Sequence, residues 1–229
     1  ADAQNSIGIL YAIGDDVHQD FEEAFRWYMM AANQELPEAQ INVAGMYARG
    51  LGVKQDFGKT IEWLTKAAKQ NSAVAQFNLG GIYANGEFGE KQNFEKAYYF
   101  YLQAAEQGYA DAQFEVGLMY ENGEFLDKDT VEAHKWYLLA AENGLADAQY
   151  AVARQFACGI GVEVDYEKAF EWCEHAAEQG LASAQYNLGT MYADGYPGIK
   201  QSKKRAKEWF RAAAAQGNQL AQERLDSID

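Results

Sequence analysis

The 229-residue chain has only two cysteines, two prolines and three histidines. Cys158 and Cys173 are too few for a disulfide framework or a cysteine-based structural zinc site. No apolar run of about 20 residues occurs, so no segment reads as a membrane span. Residues 1–14 lack a basic stretch ahead of an apolar one and do not read as a targeting segment. Cations are scarce: 19 Lys and Arg face 34 Asp and Glu, a net charge of −15. Phosphate backbones and anionic lipid both need neutralising by cations, which argues against nucleic acid and against a lipid surface as partners. A protein or peptide partner of basic character suits the charge better. No glycine-rich run ends in Gly-Lys-Ser or Gly-Lys-Thr, so no phosphate loop is present, and no cofactor is implied.

What the chain has in abundance is repetition. Ala-Gln recurs at Ala3, Ala39, Ala75, Ala112, Ala148, Ala184 and Ala221, at steps of 36 or 37 residues. From each copy an apolar residue at i+4 and, in most copies, Tyr at i+8 mark one helix face. Gly14, Gly50, Gly86, Gly123, Gly159 and Gly195 then supply the left-handed stop that a helix C-terminus favours. After a short loop come Asp20, Asp56, Asn93, Asp129, Asp165 and Ser202, whose side-chain oxygens can accept the free N–H groups of a second helix. That helix carries an i, i+3, i+4, i+7 stripe, as in Ala97, Phe100, Tyr101 and Ala104. Gly108, Gly144, Gly180 and Gly217 close four of the second helices, and Asn71 another. The pattern predicts twelve helices in six hairpins and a short thirteenth from about residue 220.

Two rows of small residues predict close packing. Gly8, Ala44, Gly80, Gly117, Ala153 and Gly189 share one slot of the first helix. Glycine inside a helix costs up to ~1 kcal/mol against alanine, so the slot calls for close approach. Paired alanines such as Ala31–Ala32 and Ala104–Ala105 lie on the second helix. One hairpin cannot bury its apolar faces alone; stacking supplies the burial.

The segments "AQFNLGGIYANG" (75–86), "GLGVKQD" (50–56) and "YEKAFEWCEHAAEQG" (166–180) resemble the Sel1-like repeat, a relative of the tetratricopeptide repeat. The resemblance covers essentially the whole chain. It implies an all-α, right-handed superhelical solenoid of six hairpins plus a short C-terminal helix, whose first helices line a concave face. The expected organisation is one domain over 1–229, with repeats at about 2–37, 38–73, 74–110, 111–146, 147–182 and 183–219, and a half-repeat cap at 220–229. The resemblance further implies a non-catalytic adaptor, bacterial and often exported to the periplasm or medium. A cysteine-rich branch of the family joins its helices by disulfides; this chain lacks the recurring cysteine pair.

"EWCEHAAEQG" (171–180) gathers Glu171, Cys173 and His175 within helical reach, the ingredients of a metal or thiol site. The repeat alignment favours a scaffold reading. Cys173 fills the packing slot of Tyr28, Leu64, Tyr101, Tyr137 and Phe210, and His175 the slot of Met30, Lys66, Gln103, Leu139 and Ala212. Cys158 and Cys173 are placed too far apart along their helices to pair. A catalytic or metal role for Glu171, Cys173 and His175 is the weakest of the functional alternatives.

Partner contacts are expected on first-helix rows whose residues vary between copies. One row runs Ile9, Gly45, Gly81, Leu118, Arg154 and Thr190; another includes Arg49, Asn85 and Asn122. A third holds Asn42, Asn78 and Asn187, interrupted by Ser6, Glu115 and Ala151. Side-chain amides both donate and accept, as peptide backbone requires. In tetratricopeptide relatives, asparagines on the first helix clamp bound peptides. Phe77, Phe114, Tyr150 and Tyr186 run alongside, with two roles open: packing between adjacent first helices, or anchoring a bound segment at the groove edge.

At the C-terminus, Asp226 and Asp229 replace the small residue and the Tyr of the repeat. At the N-terminus the chain starts within a repeat, and the natural protein is expected to extend upstream. The leading expectation is a monomeric interaction scaffold binding a protein or peptide in the groove. A self-assembling solenoid is the structural alternative.

Overall fold

The computed structural model describes residues 1–14 and 17–228, so the expectation for Asp229 lies outside the described residues. The described residues form thirteen helices. The hairpins are α1 (Asp2–Ile13) with α2 (Phe21–Ala32), α3 (Pro37–Arg49) with α4 (Phe57–Lys69), and α5 (Ala73–Asn85) with α6 (Phe94–Glu106). They continue with α7 (Ala110–Asn122) and α8 (Thr130–Glu142), α9 (Ala146–Cys158) and α10 (Tyr166–Glu178), and α11 (Ala182–Asp194) and α12 (Lys203–Ala215). The last helix is α13 (Gln219–Ser227). The all-α fold of six hairpins and a short terminal helix is the one that the periodicity predicts. The chain divides into two compact units, Ala1–Ala112 and Gln113–Asp229.

The helix boundaries follow local chemistry. Asp20, Asp56, Asn93, Asp129, Asp165 and Ser202 each accept backbone N–H groups of the following first turn. The six glycines that end the first helices all have positive φ, between 67° and 81°. These contacts satisfy groups that a helix end leaves free.

Within each unit successive helices pack on one another around an apolar interior. In the first unit it includes Ala39, Val43, Tyr47, Ala75 and Leu79 from the first helices and Tyr28, Leu64 and Ala67 from the second. In the second unit, Ala148, Val152 and Tyr137 belong to one cluster and Leu188, Cys173 and Phe210 to another.

The small-residue slot has a steric explanation. A Cβ at Gly8, Gly117 or Gly189 would lie 2.6–2.7 Å from a ring carbon of Tyr28, Tyr137 or Phe210, and one at Gly80 would collide with the Tyr101 ring. Each glycine thus admits the aromatic ring of its own hairpin. In the two hairpins where the slot is Ala44 or Ala153, the facing residue is the shorter Leu64 or Cys173. The pair of residues, rather than either one, is what the fold holds constant.

The recurrent glutamine has a polar counterpart of the same logic. Gln40, Gln76, Gln149 and Gln185 are buried. Their Nε2 groups donate to the carbonyls of Ala32, Ala68, Ala141 and Ala177 in the preceding repeat, at 3.2–3.4 Å. Their Oε1 atoms accept from the C-cap glutamines Gln70, Gln107, Gln179 and Gln216 of their own hairpins, at 2.6–2.9 Å. One amide therefore ties three helix ends together. A further polar pair, His134 Nδ1 with Gln155 Oε1 at 2.7 Å, is buried between α8 and α9. Phe25 and Met46 hold the equivalent positions three hairpins earlier.

Candidate cavity on the first helices

The first unit contains a cavity of about 440 Å³ between α3 and α5. Its buried part is small and mostly apolar: Ala44, Leu64, Ile82 and Thr60. The Thr60 hydroxyl is already engaged with the Asp56 carbonyl at 3.0 Å. Ile41, Phe77 and Phe88 form half-buried walls, and the exposed Arg49, Asn85 and Glu87 stand at the open side. Volumes of ~300–1,000 Å³ with an apolar interior and a few polar groups characterise ligand sites.

Five of the residues expected to touch a partner line this cavity: Asn42, Arg49, Phe77, Asn78 and Asn85. Their side chains differ in what they leave free. Asn42 Nδ2 donates to Asn5 Oδ1 at 2.9 Å, and Asn85 Nδ2 to Glu87 Oε1 at 3.1 Å. Arg49 donates its Nε–H to the Gly45 carbonyl at 3.2 Å, and one terminal guanidinium nitrogen lies beside Gly45. Asn78 makes no hydrogen bond to another described residue, so its amide is open at both ends. Phe77 tilts against the rings of Tyr101 and Tyr109, with centroids 5.6 and 5.2 Å away, and shows its other side to the cavity.

The other six lie in the second unit. Phe114 tilts against Tyr137 at 5.2 Å, and Tyr186 against Phe210 at 5.9 Å. These half-buried rings lean on second-helix rings of their own hairpins. Asn187 Nδ2 donates to the Tyr150 hydroxyl at 2.6 Å, which joins α9 to α11. Burial pushes the Tyr150 phenol above its ordinary range and keeps that oxygen neutral. Asn122 is exposed and donates to Glu124 at 3.3 Å, and Arg154 is exposed.

Glu171, Cys173 and His175 are not brought together. Cys173 is buried, with its sulfur 3.5 Å from the Ala184 carbonyl, while Glu171 and His175 are exposed. Burial, reinforced by Glu174, pushes the Cys173 thiol up to about 12, far from a reactive thiolate. The metal or thiol reading therefore has no support in the geometry. Among the described residues no group of three or more His, Cys, Asp or Glu could hold a metal ion. Among those residues, too, no helix is long and apolar enough to cross a membrane.

Sequence reasoning missed Leu64, Ala44, Thr60, Glu87 and Phe88 as cavity residues. A signal existed for the first two: they form one of the two hairpin pairs that depart from glycine facing a ring.

A family model described as Sel1 repeat matches residues 1–36, 37–72, 73–109, 110–145, 146–181 and 182–218. The chain is similar to a Sel1 repeat protein from Oxalobacter formigenes, with 37% identity over 93% of this chain and 87% of that one, and a TM-score of 0.87. It is also similar to c5321, a protective antigen of uropathogenic Escherichia coli displaying an SLR fold, at 30% identity and a TM-score of 0.69. That alignment covers 99% of this chain but 56% of the other. The immunity protein Pa5087 from Pseudomonas aeruginosa shares the fold at 19% identity and a TM-score of 0.55, over 93% of this chain and 81% of that one. No curated protein matches the chain.

Proposed function

The chain belongs to the Sel1-repeat family, and from that premise we propose that it is a scaffold that binds a peptide segment of a partner protein against its first helices, without catalysis. Proteins of this family are generally protein-interaction scaffolds. The observation that carries the finer reading is the cavity between α3 and α5, where Phe77, Asn78 and Arg49 converge. An apolar interior supplies binding energy by burying a side chain, on the order of 25 cal/mol per Å² of apolar surface removed from water. The open Asn78 amide and the Arg49 guanidinium supply direction, since one can pair with peptide N–H and C=O groups and the other with carbonyls. The helices that hold these groups are fixed by caps and packing, so little ordering cost falls on the protein when it binds.

Selection from a displayed library of random peptides tests this directly. Wild-type protein should enrich a common motif, and the enriched peptides should lose roughly tenfold or more in affinity against Phe77→Ala and Asn78→Ala, a loss typical of a contact worth ~1.4 kcal/mol or more. Circular dichroism should show unchanged helicity in both variants. Enriched peptides that bind both variants as tightly as wild type would move the site off this surface.

A further inference from the structure

The cavity stands where a ring is missing. In four hairpins an aromatic ring from the second helix lies over the glycine slot: Tyr28 on Gly8, Tyr101 on Gly80, Tyr137 on Gly117 and Phe210 on Gly189. The Tyr101 ring runs on to the next residue, its hydroxyl 3.7 Å from where a Cβ of Gly81 would be. The second hairpin holds Ala44, Gly45 and Leu64 at the corresponding three positions, and all three line the cavity. Leu64 ends well short of a tyrosine's reach, and the volume that a ring and its hydroxyl fill elsewhere is open.

Two further glycines widen the same space. Gly45 and Gly81 sit inside α3 and α5 and line the cavity. Neither has a positive φ. A Cβ at Gly45 would meet only the Arg49 guanidinium, at 3.4 Å, and at Gly81 only the Tyr101 hydroxyl, at 3.7 Å, both ordinary contacts. Packing thus demands neither glycine, and each makes its helix less stable than alanine would. Glycine on a helix face is useful where another backbone must come close. The fifth hairpin has the same short pair, Ala153 and Cys173, but Arg154 and Thr190 stand where the second and third carry Gly45 and Gly81.

We infer that the cavity is a receptor for an aromatic side chain, tyrosine or phenylalanine, on a basic peptide whose backbone crosses Gly45 and Gly81. The inference rests on the peptide-binding reading above and specifies its anchor. The protein itself provides the template, since its own tyrosines occupy this volume in other hairpins. Leu64, Ile82 and Phe77 face the inserted ring, and Asn78 and Arg49 are among the polar groups of the lining that can meet a phenol or the adjoining backbone. Charge sets the flanks: residues 1–112 carry 15 carboxylates against eight Lys and Arg, which favours Lys or Arg beside the anchor.

The test uses small probes on the full chain. N-acetyl-L-tyrosinamide is titrated into ¹⁵N-labelled protein to about 10 mM, where a millimolar ligand saturates, with N-acetyl-L-valinamide as control. Shifts of the Gly45, Asn78 and Gly81 amides are expected with the tyrosine probe, at an affinity at least about tenfold above the valine probe. The double variant Ala44→Gly/Leu64→Tyr restores the pair used elsewhere and should abolish those shifts with an unchanged or higher Tm. Should that variant misfold, Gly45→Ala/Gly81→Ala serves instead: it should raise Tm and weaken the probe by several-fold. No shifts with the tyrosine probe, no preference over valine, or binding that survives every folded cavity-filling variant overturns the inference. Library peptides that need Asn78 but carry no aromatic anchor would sink the inference alone; peptides indifferent to Phe77 and Asn78 would sink both readings.

Discussion

Cys173 shows how far a single residue's chemistry depends on its surroundings. Its neighbours in sequence, Glu171 and His175, are exposed, yet its own thiol is buried and pushed up to about 12. Cys158 at the end of α9 is exposed, and both cysteines are free. Iodoacetamide at pH 8 should therefore alkylate Cys158 alone in the folded protein and both cysteines in denaturant, as read by mass spectrometry. Rapid native labelling of Cys173 would contradict its burial. Glu35 presents a different residue-scale tension. It has φ of 63° at the position where other hairpins place Gly108, Gly144, Gly180 and Gly217. A left-handed conformation costs a non-glycine residue roughly 1–2 kcal/mol. Replacing Glu35 by glycine should stabilise the protein by about 1 kcal/mol in urea unfolding, after the greater flexibility of glycine in the unfolded chain offsets part of the gain. An unchanged midpoint would show that the strain is relieved some other way.

At the scale of helices, what couples one hairpin to the next is a buried amide as well as apolar contact. Gln149 bridges the Ala141 carbonyl at the end of α8 and the Gln179 side chain at the end of α10. Gln149→Leu keeps the volume roughly constant but removes both hydrogen bonds, leaving the Ala141 carbonyl with its bond from the Gly144 N–H and the exposed Gln179 amide to water. A hydrogen bond contributes about 0.5–1.5 kcal/mol net, so the urea midpoint should fall by a corresponding amount with helicity retained. A midpoint within error of wild type would mean that water reaches these groups and the bridge is dispensable.

Over the whole molecule the dominant feature is charge. A net charge of −15 places like charges throughout a protein of this size. Self-repulsion opposes the compact state and is screened by salt, with a Debye length near 10 Å at 0.1 M and about 3 Å at 1 M. Among the described residues the ion pairs between side chains are mostly exposed i,i+3 or i,i+4 contacts such as Lys66–Glu62, which contribute little and cannot reverse the trend. Raising NaCl should therefore raise Tm by a few degrees, measured by circular dichroism, while weakening any basic peptide selected by the library. A Tm that falls with salt would show that attractive pairs outweigh the net repulsion.

Helix boundaries, caps and repeat spacing were determined by the sequence alone. They rest on contacts within a few residues, such as Asn93 accepting from the N–H of Lys96, and on a 3.6-residue period that any linear reading can follow. The surface rows were legible in part: Asn42, Arg49, Phe77, Asn78 and Asn85 do share one cavity. Tertiary structure decided the rest. Asn42 and Asn187 engage Asn5 and Tyr150, each 37 positions earlier in the chain. The recurrent Gln meets partners eight residues before and about 30 after it. The cavity arises because Leu64 is shorter than the ring its slot usually holds and because Gly45 and Gly81 add no side chain. It is a difference in volume between residues brought together by stacking, and such a difference becomes visible only when the two sides of the space are known.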